Sequence, residues 1–183
     1  MVHSSGVETG SSGGPVLVVL GSGRQGGSRA AALDALAASH RLAPVGRAPT
    51  VEELAAIDPG GVLHLLAVGD AGAVALDVAR ERPDLVASVI VESPGSRVAE
   101  CVGRLGGVVV PTLALCGTEA DPAVADAGRA LRRALPNSAL VFVWAAGDDV
   151  RGDRPEAFAD VVADFVRRGM GFLVEDRPGV INP

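Results

Sequence analysis

Two glycine turns carry residue types and spacing from which chemistry could start. In "VLVVLGSGRQGGS" an apolar run is followed by Gly21, Gly23 and Gly26 in G-x-G-x-x-G spacing, ahead of a helical period. Glycines so spaced allow a tight turn and let backbone N–H groups approach a pyrophosphate. The acidic residue that would take a ribose hydroxyl is missing, because the next apolar run, "HRLAPVGR", ends in Val45, Gly46 and Arg47. Arg47 suits a 2′-phosphate, which keeps an NADP-binding Rossmann-like reading as an alternative to a plain glycine-rich link. The second turn lies in "LLAVGDAGAVALDVARERPDL", where an apolar run meets Gly69, Asp70 and Ala71 and then an amphipathic period. Aspartate there can cap a helix, accepting from its first free N–H groups, or present a carboxylate to a ligand.

Such turns need strands before them and helices after, and the apolar pattern supplies both. Short β-branched runs at 16–21, 41–45, 62–69, 87–92, 112–117 and 139–144 alternate with helical periods at 28–39, 50–57, 71–82, 123–135 and 155–168. Ala71, Val74, Ala75, Val78 and Ala79 recur at helical spacing, as do Phe158, Val161, Val162, Phe165 and Val166, so each set forms one buried stripe. Thr50 with Glu53 has capping-box spacing, and Asp153 ahead of Arg154 and Pro155 suits a helix start. Runs such as "VLVVL" and "ASVIV" do not alternate in polarity, as expected of parallel strands covered on both faces. The series predicts an α/β fold, a three-layer α/β/α sandwich around a mostly parallel sheet of about six strands. A short helix is expected near 97–105, within "PGSRVAECVGRLGGVVV". Residues 1–14, rich in Ser and Gly, read as a flexible leader, 15–169 as one domain, and 170–183 as a tail that packs on the surface or reaches a neighbouring subunit.

Composition narrows the function classes. A chain of 183 residues with 48% hydrophobic and 21% charged content is sized and mixed for one globular core. A net charge of −6 argues against a nucleic-acid partner, whose affinity rests on clustered positive charge. All 16 basic residues are arginine and there is no tyrosine, so lysine Schiff-base chemistry, P-loop lysine contacts and a tyrosine acid are excluded. Two cysteines, Cys101 and Cys116, make neither a disulfide framework nor a metal cluster, which fits a reducing cytoplasm. The start has no secretory pattern and no apolar run spans a bilayer, so no membrane partner is expected, nor any metal or other cofactor.

The order of the segments resembles the α/β-hydrolase superfamily from about Pro15 to Gly169. "PVLVVLGSG" is similar to the strand entering the oxyanion loop, and "LLAVGDAGAVALDVARERPDLVASVIVESP" to the nucleophile elbow and the strand after it. "VPTLALCGTEADP" resembles the acid-bearing segment, and "LPNSALVFVWAAGDDVRGDRPEAFADVVADFVRRG" the last strand, histidine loop and closing helix. The family's elbow, G-x-S-x-G, requires small residues beside a strained tip. Three registers are open here, with Gly69, Asp70 or Ala71 at the tip, and none supplies serine or cysteine. Asp70 matters because relatives of the haloalkane dehalogenase type use an aspartate there to attack carbon.

The resemblance implies an acid at Asp121, with Glu119 a nearby substitute, and puts Asp148 where the family's "AGH" histidine stands. A carboxylate is a far weaker base than imidazole. Three carboxylates meeting at the strand ends would also disfavour one another's charge. Gly21, Ser22 and Gly23 fall on the oxyanion loop, with Ser22 a hydroxyl donor or a simple turn residue. His3, His40 and His64 suit surface or core roles, and Cys116 that of a buried thiol. The family's inserted cap has only a short connection here, which leaves an open cleft. The expectation is a small lidless hydrolase-like protein with a degenerate triad and little esterase activity, in effect a pseudoenzyme. It would hold a small-molecule, acyl or peptide-like ligand with Gly21, Ser22, Gly23, Gly69 and Ala71, its cleft covered by a second copy or a protein partner. The alternative is an unconventional enzyme, an isomerase, lyase or substrate-assisted hydrolase, using Asp70 or Asp148 with Asp121 nearby.

Overall fold

The computed structural model describes residues 9–10, 14–21, 27–46 and 48–174. Its sheet has strands β1 (Thr9–Gly10), β2 (Val16–Leu20), β3 (Arg41–Val45), β4 (Leu63–Val68), β5 (Val86–Glu92), β6 (Thr112–Gly117) and β7 (Ser138–Val143), in the order β1-β3-β2-β4-β5-β6-β7. Strands β2 to β7 pair in parallel, and β1 adds a two-residue antiparallel rung on β3. Helices α1 (Ser28–Ala37), α6 (Val150–Asp153), α7 (Pro155–Arg168) and α8 (Met170–Val174) cover one face. Helices α2 (Val51–Ala55), α3 (Ala71–Glu81), α4 (Ser96–Cys101) and α5 (Pro122–Ala134) cover the other.

This double covering explains the unbroken apolar runs. Along β2, Val16, Val18 and Leu20 enter one core while Leu17 and Val19 enter the other. The central residues Leu65, Leu66 and Ile90 are fully buried, each stabilising the fold by about 1.5–3 kcal/mol before entropy is counted. The order of strands reverses direction at β2, whose neighbours are β3 on one side and β4 on the other. A crevice opens between strand ends at such a point. Gly21, directly after β2, and the glycine turn after β4 sit there.

The six expected strands and five expected helices are present, with ends within two residues of the predicted ones. The Thr50–Glu53 box forms, each side chain meeting the other's backbone N–H at 3.2 and 2.8 Å. Asp153 does not cap α7. It closes the short α6, and its Oδ2 accepts from the Gly147 N–H at 2.8 Å. The segment expected near 97–105 is α4 followed by a 3-10 turn, Val102–Gly107. In α8, Phe172 meets Phe165 of α7 edge to face at 5.2 Å between ring centres. Of the leader only Thr9, Gly10 and Gly14 are described, and residues 175–183 of the tail lie outside the described residues.

Candidate functional site

The second glycine turn joins β4 to α3. Gly69 has φ +59°, while Asp70 already has helical angles, φ −67° and ψ −18°. A sharp strand-to-helix elbow places its strained angle at the tip, so the tip is Gly69 and not Asp70 or Ala71. Gly69 N donates to Glu92 O at 2.9 Å, and Gly69 O accepts from Gly72 N at 3.1 Å. A Cβ added at Gly69 would find no atom nearer than Ser93 O at 4.0 Å, so space above the tip is open. At Gly72, by contrast, a Cβ would come within 2.5 Å of Val91 Cγ1 and 3.0 Å of Val98 Cγ2. That is the tight helix–strand approach for which an elbow needs small residues.

Asp70 does not cap its own helix. Its side chain makes no cap bond to α3, and Oδ1 instead accepts from Arg97 N at 3.1 Å, at the start of α4. A Cβ on Gly95 would fall 2.1 Å from that oxygen, so glycine there lets the carboxylate reach across.

Asp121 and Asp148 do come together. Asp121 Oδ1 accepts from Ala123 N at 2.8 Å, capping α5 with Pro122 in its first turn. The Asp121 N–H donates to Asp148 Oδ1 at 2.8 Å. The loops carrying them are closed on each other: Thr118 Oγ1 accepts from Ala145 N at 3.0 Å, and Glu119 N donates to Ala146 O at 2.8 Å. A Cβ on Gly117 would lie 2.0 Å from Ala146 O, which leaves room for glycine alone. Asp70, committed to α4, is not part of this pair.

No known family profile matches the chain, and no curated protein does. Solved structures do. The chain is similar to a CIB-like hydrolase from Thermoplasma acidophilum, at 15% identity, covering 87% of this chain and 88% of that one with a TM-score of 0.68. It is similar to an α/β-hydrolase enzyme from the sediment metagenome of the Mar Chica lagoon, Morocco, at 15% identity, 88% and 94% coverage and a TM-score of 0.72. Carboxylesterase CesB of Bacillus subtilis aligns at 13% identity, 87% and 86% coverage and a TM-score of 0.68. The chain has the α/β-hydrolase fold.

Within this α/β-hydrolase fold, the strand after the elbow carries a charged pair that sequence reasoning missed. Glu92, 1% exposed at the end of β5, receives the Arg151 N–H on Oε1 at 3.0 Å and faces Arg151 Nε from Oε2 at 3.3 Å. Burial pushes its carboxyl up to about 7, and the Arg151 charge offsets only part of that rise. Arg29 of α1 pairs with Asp149 at 2.7 Å, which ties the helix after the first glycine turn to the same loop. Next to Glu92, Ser93 is buried in a left-handed conformation, φ +48°, and its hydroxyl donates to Asp148 O at 2.6 Å. The signal available in sequence was an acid closing an all-apolar strand, "ASVIVE", with an arginine between two turns in "DDVRGD".

The remaining candidates divide simply. His64 lies four residues before Val68, roughly 13 Å back along the strand from the elbow, and its Nδ1 meets Ser88 Oγ at 2.8 Å. Burial, with His40 nearby, pushes its proton affinity down to about 4. Cys116 is buried, and its thiol is pushed up to about 12 by desolvation, so it is no nucleophile. Gly21 follows β2 at the crevice, at φ +100°. Ser22, Gly23, Gly26, Arg47 and His3 lie outside the described residues. Among the described residues no three ligating side chains gather to hold a metal ion, and no helix is long and apolar enough to cross a membrane.

Proposed function

We propose that this α/β-hydrolase-fold protein binds a small carbonyl compound, of the acyl, ester or peptide-like class, without forming a covalent intermediate. The observation that carries this reading is the elbow tip itself: Gly69, at φ +59°, offers no side chain to attack. Asp148 stands where the fold's base is sought, and its Oδ1 is engaged by the Asp121 N–H. What the elbow retains is the start of α3, where Gly72 N and Ala73 N bond back to Gly69 O and Asp70 O and the Asp70 and Ala71 N–H groups before them have no hydrogen-bond partner among the described residues. Such donors can polarise a carbonyl oxygen seated above Gly69. The connection after β5 is short, so a second copy or another protein would have to cover the crevice.

The test is a thermal-shift screen of the full chain against carboxylic acids, esters, amides and short peptides, repeated with Gly69→Val. A ligand that binds only the native state raises Tm by mass action. The expected result is a rise that disappears in Gly69→Val, where a branched side chain fills the space and strains the backbone by about 1–3 kcal/mol. A rise that survives the substitution places the ligand elsewhere and removes the proposal.

A second reading, proton-transfer catalysis, is favoured by the buried Glu92 carboxyl directly behind Ser93 and the Asp148 loop. Turnover lost in Asp148→Asn with ligand affinity retained would favour it over simple binding.

A further inference from the structure

Ser93, the residue after β5, has three polar groups, and two of them are engaged. Its N–H donates to Leu115 O at 2.8 Å and its hydroxyl to Asp148 O at 2.6 Å. No described residue donates to its carbonyl oxygen, although the residue is buried. The next residue, Pro94, has no N–H to turn back on it. Among the described residues that oxygen is the one atom reached from the point where a Cβ on Gly69 would stand, at 4.0 Å. We propose that the compound held at Gly69 is a carboxamide with at least one free N–H, which it donates to Ser93 O.

Naming the class of compound rests on the reading of the Gly69 crevice as a carbonyl site, because the two walls of that crevice then take opposite hydrogen-bonding roles. On the α3 side the Asp70 and Ala71 N–H groups have no hydrogen-bond partner among the described residues, so that wall donates. On the β5 side Ser93 O only accepts. A carboxamide carries an acceptor and a donor on the two arms of one rigid plane, so both walls are met at once. An ester or a tertiary amide has no N–H and would leave Ser93 O buried without a donor, which is costly. A carboxylate would set a further acceptor, and a negative charge, against the same oxygen.

The acceptor is fixed before any ligand arrives. Ser93 has φ +48°, away from the extended conformation that a residue before proline prefers, so its surroundings must hold it there. Its bonds to Leu115 O and Asp148 O do so. One residue earlier, Glu92 O accepts from the Gly69 N–H at 2.9 Å, which ties the elbow tip to the end of β5 and sets the spacing of the two walls. A carbonyl positioned in this way needs little ordering when a donor binds.

The experiment titrates the full chain by calorimetry at neutral pH with benzamide, N,N-dimethylbenzamide, methyl benzoate and benzoate, which share one ring. Serine labelled with carbonyl carbon-13, together with nitrogen-15 proline, marks the Ser93–Pro94 peptide, the one Ser-Pro pair in the chain, so NMR reads the Ser93 carbonyl directly. Benzamide is expected to bind and to move that signal, and the other three to bind at least about tenfold more weakly, the cost of one unmet hydrogen bond. Gly69→Val should abolish benzamide binding. Methyl benzoate as tight as benzamide, or a Ser93 carbonyl signal unmoved at saturating benzamide, overturns the carboxamide assignment and leaves the carbonyl site standing. Binding by none of the four probes, or binding that survives Gly69→Val, removes both.

Discussion

Asp70 accepts from Arg97 N at 3.1 Å, and that bond explains why an aspartate stands one residue past the elbow tip. Its carboxylate holds the start of α4 against the elbow, a structural duty done from a position where a nucleophile was one reading. Asp70→Ala should therefore cost about 0.5–2 kcal/mol in urea unfolding, the usual loss for an N-cap acceptor, while Asp70→Asn keeps an oxygen and stays near wild type. Equal losses in both would mean that the charge, not the hydrogen bond, is what matters. The three elbow registers differ by single residues of similar size, so composition could not separate them. Only the sign of φ at Gly69 does. The partners of Asp70 and Asp148 were equally hidden, because Arg97 and Asp121 are each 27 residues away in the chain.

At the level of elements, α3 was legible because its apolar stripe runs long enough to show a helical period, and β4 and β5 because they are near-continuous apolar runs bounded by turns. The four-residue α6 and five-residue α8 were not, since one turn of helix has no period to read. The missing α6 mattered most, for it carries Arg151 to Glu92 across 59 residues of sequence. That pair pins the loop bearing Asp148 to the end of β5. Removing one partner of a buried pair strands the other charge, so Arg151→Met is expected to cost about 3–5 kcal/mol, whereas Arg151→Met with Glu92→Leu recovers much of it. Chemical denaturation of the two variants checks this. A double variant no more stable than the single one would show that the charges are not coupled.

For the whole molecule, two buried groups pull stability in opposite directions with pH. His64 titrates near 4 when folded against an ordinary 6.5, so the unfolded chain binds more protons in between and stability falls as pH drops through that window. Glu92 titrates near 7 when folded against an ordinary 4.5, so the folded chain binds more protons and stability falls as pH rises through that window. Between pH 5 and 7 these two trends oppose each other, each on the order of 2 kcal/mol, and buried His40, whose proton affinity desolvation also lowers, adds to the His64 side, so the unfolding free energy of the native sequence should fall only partway as pH drops. Glu92→Gln removes one trend, and its stability should then drop by about 2 kcal/mol on going from pH 7 to pH 5. A drop no steeper than that of the native sequence would contradict the assignment of Glu92.

The most direct measurement of the central claim, that the elbow of this hydrolase fold has no nucleophile, is intact-protein mass spectrometry after treatment with p-nitrophenyl acetate and with a fluorophosphonate. With no lysine or tyrosine in the chain, adventitious acylation is confined to few groups, so a specific adduct would stand out. The expected result is an unmodified protein, apart from slow acetylation of the α-amino group. A stoichiometric acyl or phosphonyl adduct on a crevice side chain, formed while the ester is turned over, would contradict the claim.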